Sequence, residues 1–190
     1  SPSIHTLLKK ILSKEQGFEI VAHAMNGVDA MEKMKTVKPD IITLDIHMPQ
    51  MDGLEYLKKN SWVNGKKIGI QGQSWGGYQV SYLITQNDMY AAAWAGAPVV
   101  NMTSAYGGIR WSSGMNRQFQ YEKSQSRIGK TLWEAPELYL ENSPLFHLDK
   151  VTTPVVIMSN DKDGAVPWYQ GIEMFTALRR LDKKVWLLNY

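Results

Sequence analysis

Cysteine is absent from all 190 residues, which excludes disulfides, thiolate metal ligands and a cysteine nucleophile together. Charge of one sign is scarce as well. With 21 Lys and Arg against 18 Asp and Glu, the formal charge is +3, too small and too dispersed to favour nucleic acid or an anionic membrane as a partner. No apolar run approaches the ~20 residues of a membrane span, and Ser1-Pro2-Ser3-Ile4-His5 lacks the regions of a signal peptide. A cytoplasmic protein is expected. Tryptophan and arginine are missing from residues 1–60, whereas 7 Trp and every Arg follow. A compositional break this clean, near Asn60-Ser61, predicts two sources for one chain.

What the chain does contain centres on Ile68-Gly69-Ile70-Gln71-Gly72-Gln73-Ser74-Trp75-Gly76-Gly77-Tyr78. An apolar run enters a Gly-x-Ser-x-Gly turn and a pattern of apolar and small residues leaves it, which is the strand-turn-helix context of a nucleophile elbow. Small residues are needed there because strand and helix cross too closely for a Cβ on either flank. The bland alternative is a glycine-rich turn without chemistry. A helix over Gly77–Thr85 would aim its N-terminus at Ser74, so that the Trp75 amide and the helix dipole could stabilise an oxyanion.

Before the break, Ser1-Pro2 suits a helix start, and Ile4, Leu7, Leu8, Ile11 and Leu12 recur at helical spacing until Gly17. Residues 18–24 read as a strand, 28–37 as an amphipathic helix and 41–46 as a buried parallel strand. Pro39-Asp40-Ile41-Ile42-Thr43-Leu44 followed by Asp45-Ile46-His47-Met48-Pro49-Gln50-Met51-Asp52-Gly53 closely resembles the receiver domain of two-component response regulators. The resemblance implies a phosphoacceptor at Asp45, and a carboxylate there needs a divalent cation such as Mg2+ to neutralise the collecting charge. The family's acidic pair follows a first strand that this chain does not contain, and the Thr or Ser and the Lys of its later strands have no counterpart. A structural relic of a receiver is therefore expected at Asp45, with no cofactor.

After the break, Trp62-Val63-Asn64-Gly65-Lys66-Lys67-Ile68-Gly69-Ile70, the elbow, Trp94-Ala95-Gly96-Ala97-Pro98, Ser143-Pro144 and Thr153-Pro154-Val155-Val156-Ile157-Met158 occur in that order. This series resembles the catalytic α/β-hydrolase portion of prolyl oligopeptidase-type serine peptidases, over nearly all of 61–190. The resemblance implies Ser74 as nucleophile, Asp163 as triad acid with Asp161 as the alternative, and a peptide or ester as substrate. Asp163 as a plain turn carboxylate is the competing reading. Strands are expected at 91–96, 155–159 and 184–190, and a helix from about Trp168. Residues 99–150 should hold short helices, one around Leu132–Leu140, with aromatics covering core.

The family's histidine lies on a loop after the strand that 184–190 resembles, so it is expected to be missing. Loss of that base costs on the order of a millionfold in turnover in the subtilisin case. His5 and His23 read as structural or surface residues, and His147 should lie toward the opposite sheet edge. His47, two residues past a strand's C-terminal end, is the one candidate substitute base. The expectation is one α/β domain over 1–190, assembled from 1–60 and 61–190. It should be a three-layer, doubly wound and mostly parallel sheet of about six strands. Strand 184–190 could fill the receiver's vacancy, or 18–24 and 39–45 could pair directly. The expected function is a fused scaffold without a complete active site. The alternatives are a weak hydrolase using Ser74 or a phosphoacceptor using Asp45.

Overall fold

A computed structural model describes residues 17, 19–42, 49–51 and 53–190, which divide into two compact units, 1–65 and 66–190. In the first unit Asn26 caps helix α1 (Gly27–Lys33) by accepting from the Asp29 amide, and Asp29 pairs with Lys33 one turn on at 2.9 Å. The lysine draws the Asp29 carboxyl below its ordinary range, aided by the Met25 amide. Helix α2 (Gly53–Lys58) packs beside α1, with Tyr56 fully buried. Gly27 makes the close approach: its amide donates to the Met51 carbonyl, and a Cβ there would sit 2.7 Å from Met51 Cγ.

The second unit runs β1 (Gly69–Gln73), α3 (Trp75–Gln86), β2 (Ala92–Gly96), α4 (Met102–Tyr106) and a small antiparallel pair, β3 (Ile109–Arg110) with β4 (Met115–Asn116). A π-helical turn (Gln120–Ser124), α5 (Pro136–Glu141), a 3-10 helix (Pro144–Lys150), β5 (Val155–Met158), α6 (Tyr169–Arg180) and β6 (Val185–Leu188) complete it. Four strands form a wholly parallel sheet in the order β1-β2-β5-β6, with Gly72 opposite Ala95, Ala95 opposite Ile157 and Ile157 opposite Leu187. Strand alternation puts Ala93, Ala95, Val155 and Ile157 on one buried face. Helices α3 and α6 lie on that face: Gly77 approaches the Gly96 carbonyl, Gly171 approaches Ser159 and Ile157, and Ser81 Oγ meets Met174 Sδ at 3.5 Å. On the other face Trp94 and Trp186 stand 36% and 53% exposed.

The α/β class and the parallel sheet are as expected, with four strands among the described residues instead of about six. All four come from 66–190, and β6 pairs with β5. Residues 19–24 form no strand, and of 41–46 only Ile41 and Ile42 are described, also outside any ladder. Parallel strands persist when both faces are covered. Val21 and Ile41 are 51% and 69% exposed, without such cover.

Candidate functional site

Ser74 stands between β1 and α3 at φ 59° and ψ −118°, a backbone region that side chains rarely adopt and that clusters at functional sites. Three contacts over-determine it. The Ser74 amide donates to the Gly96 carbonyl at 2.8 Å, the Tyr78 amide donates back to the Ser74 carbonyl at 3.0 Å, and Gly72 and Gly77 let strand and helix close. A Cβ on Gly72 would lie 2.3 Å from the Gly76 oxygen, and one on Gly77 would lie 2.4 Å from the Gly96 oxygen. The side chain of Ser74 does not cap α3 and forms no hydrogen bond among the described residues. Trp75 heads the helix, earlier than the expected Gly77, where backbone N–H groups have no intrahelical acceptor.

Asp163 follows β5 and is half-buried, with Oδ1 accepting from the amides of Ala165 at 2.8 Å and Val166 at 3.0 Å. Since β1, β2 and β5 are parallel neighbours, Ser74 and Asp163 leave the same sheet edge two strands apart, about 10 Å along the sheet. Asp161 is exposed, its amide donating to Asn189 Oδ1 at 3.3 Å. That bond brings the end of the chain, past β6, beside the acid's loop. No histidine is hydrogen-bonded to Ser74 or Asp163 among the described residues. His147 is occupied elsewhere, with Nε2 3.1 Å from the Glu141 carbonyl and its ring 6.4 Å from that of Tyr82. His5, Asp45, His47 and Asp52 lie outside the described residues.

Residues 97–150 wall the site. Ala97 turns at φ 40°, and the chain beyond it is pinned by Gln170, whose Oε1 accepts from the amides of Val100 and Asn101 while Nε2 donates to Ser104 Oγ. Tyr106, Tyr121 and Tyr139 are buried in one cluster with Val99 and Met102, against which Trp75 and Tyr78 pack. The expected short helix is α5, which starts at Pro136, while Trp111 and Trp133 stay exposed instead of covering core. Burial pushes the Tyr78 hydroxyl up to about 12, helped by Tyr82, and burial likewise raises Tyr121.

A cavity of about 630 Å³ opens beside the elbow between Trp75, Tyr78, Met102 and the turn Ser124–Ile128. Residues 99–150 contribute most of its lining, but the turn that carries Ser124–Ile128 has no motif that marks it in sequence. Two glycine-free signs were present in Ser126-Arg127 only after folding: a positive φ at Arg127 and a buried Ser126 hydroxyl without a partner.

A parallel sheet with a strained serine between strand and helix, and a carboxylate on the same edge two strands away, defines an α/β-hydrolase fragment. Residues 48–190 match the prolyl oligopeptidase family, and the chain belongs to that family. Residues 1–62 match the response regulator receiver domain. The acylaminoacyl peptidase of Pyrococcus horikoshii superposes with a TM-score of 0.61 at 23% identity, covering 73% of this chain and 22% of that one. A puromycin-hydrolyzing peptidase of Mycobacterium tuberculosis gives 0.62 at 25%, covering 72% and 20%. Among curated proteins, the chemotaxis protein CheY of Listeria monocytogenes is 56% identical over 54 residues, 28% of this chain and 44% of the relative. A protein-glutamate methylesterase/protein-glutamine glutaminase of Sulfurimonas denitrificans is 44% identical over 59 residues, 31% and 17%. The chain thus spans less than half of these curated relatives and about a fifth of the peptidase chains.

Proposed function

We propose that this chain is a recombined scaffold: a receiver fragment fused to a peptidase fragment whose nucleophile and acid stand in place without a working base. The observation that carries the reading is the hydroxyl of Ser74, held on a strained turn with no histidine hydrogen-bonded to it among the described residues. A serine hydroxyl without a base is a weak nucleophile. The elbow nevertheless presents it beside the first amides of α3, so a reactive phosphonyl or acyl donor can still be captured slowly. Two family matches that overlap only over residues 48–62 support a fusion of two sources.

Incubation with a fluorophosphonate probe is expected to label the protein slowly, and Ser74→Ala to abolish labelling. Hydrolysis of peptide and nitrophenyl ester substrates is expected to stay within a few-fold of buffer for both proteins. Turnover well above buffer that disappears in Ser74→Ala would overturn the reading in favour of an active hydrolase on a peptide or ester.

A second reading rests on the receiver match over 1–62. Asp45 would accept a phosphoryl group, with a magnesium ion neutralising its charge. Asp45 and Asp52 lie outside the described residues, and among the described ones no group of three His, Asp or Glu side chains could hold a metal ion. Uptake of phosphate from acetyl phosphate and magnesium, lost in Asp45→Asn, is the outcome that supports it.

A further inference from the structure

The sequence holds two Asn-Gly pairs, Asn26-Gly27 and Asn64-Gly65. Asparagine before glycine is exposed to attack by its own backbone, because the glycine amide has no side chain to shield it or restrict its approach. In the first pair every group that such an attack uses is held. Asn26 Oδ1 accepts from the Asp29 amide at 2.9 Å, its Nδ2 donates to Gln50 Oε1 at 3.0 Å, and the Gly27 amide donates to the Met51 carbonyl at 3.1 Å. Gly27 is buried, and a Cβ there would stand 2.7 Å from Met51 Cγ and 2.9 Å from the Met51 oxygen. In the second pair the Gly65 amide donates to no acceptor among the described residues. Asn64 is exposed and Gly65 lies outside helix and strand. The nearest atom to a Cβ on Gly65 is Lys58 Cγ at 3.4 Å, the stem of an exposed lysine.

Ring closure needs a backbone nitrogen that can shed its proton and swing toward the side-chain Cγ, and only the second pair has both freedoms. We propose that Asn64-Gly65 is a site of spontaneous covalent modification in the folded protein, while the same dipeptide at Asn26-Gly27 is protected by its fold. The Gly65 nitrogen gives its proton to hydroxide and attacks Asn64 Cγ. The new N–C bond closes a succinimide as the side-chain nitrogen leaves as ammonia. Water then opens one of the two ring carbonyls, giving aspartate or isoaspartate at position 64. Lysines at 58, 66 and 67 surround the pair with positive charge, which favours the deprotonated nitrogen. Each event exchanges a neutral amide for a carboxylate and lowers the formal charge of +3 by one. Isoaspartate also adds a backbone atom just ahead of β1. The reaction uses no part of the Ser74 elbow, so it stands apart from the nucleophile's competence.

The test is incubation of the full chain at mildly alkaline pH in heavy-oxygen water, followed by tryptic peptide mapping and by methylation with an isoaspartyl methyltransferase. The peptide carrying Asn64 is expected to lose its amide, take up heavy oxygen and split into aspartyl and isoaspartyl forms, faster as pH rises. Its rate is expected to exceed that at Asn26 at least about tenfold, since Gly27 must first open out of its local structure. In urea the two rates are expected to converge. Gly65→Ala suits the site, because Gly65 is not at positive φ and its Cβ meets only ordinary contact. That variant is expected to slow the reaction at Asn64 at least about tenfold by shielding the nitrogen, and to leave the rate at Asn26 unchanged. Equal rates at the two pairs in the folded chain overturn the proposal. So does an Asn64 that persists in the folded chain while reacting in urea, or a rate indifferent to Gly65→Ala.

Discussion

Single side chains decide what this molecule can do near its elbow, and two of them report on pH. The hydroxyls of Tyr78 and Tyr139 are both pushed up to about 12 from the ordinary 10, chiefly by burial. An unfolded chain gives up these protons near pH 10, whereas the folded chain keeps them until about 12. Between those values the unfolded state binds fewer protons, so stability must fall as pH rises through the window and is intact below it. Urea midpoints measured from pH 9 to 12 are expected to drop, and Tyr78→Phe to make the drop shallower. The strand-turn-helix around Ser74 was legible before folding, since a Gly-x-Ser-x-Gly turn after an apolar run is a local pattern.

At the scale of elements, the elbow is a crossing of strand and helix more than a serine. Gly77→Ala forces a methyl to 2.4 Å from the Gly96 carbonyl oxygen, a backbone atom that can move only if β2 moves. The expected cost is at least about 1–3 kcal/mol, the usual penalty for overpacking, read as a lowered urea midpoint. Gly76→Ala is the control, as a Cβ there meets nothing within 4 Å. The helices of the second unit were legible from apolar spacing, α3 and α6 within two residues of their expected starts. The strand expected over 18–24 is absent at the described residues 19–24 for a reason sequence pattern does not carry. Alternation and β-branched residues there state a preference, but a strand also needs a paired neighbour and cover for its apolar side chains, and Val21 is 51% exposed.

Across the whole molecule, the two family matches were legible in order and in extent, since each rests on several separated motifs. The number of strands was not, because it depends on which pieces find partners. Among the described residues the sheet has outer strands β1 and β6; Lys183-Lys184 directly precede β6, and Lys66-Lys67 stand one residue before β1. The inner strands β2 and β5 follow Ala91 and Pro154 and carry no such pair. Outer strands are where copies of a protein can zip together, and positive charge is a common deterrent. Light scattering at fixed protein concentration is expected to rise with added salt, which screens the lysines over about 10 Å at 0.1 M and less above it. Replacing both pairs by glutamine should bring on the same self-association in dilute buffer. Shelf life in solution, on this view, is governed by four ammonium groups beside the first and last strands of the parallel sheet.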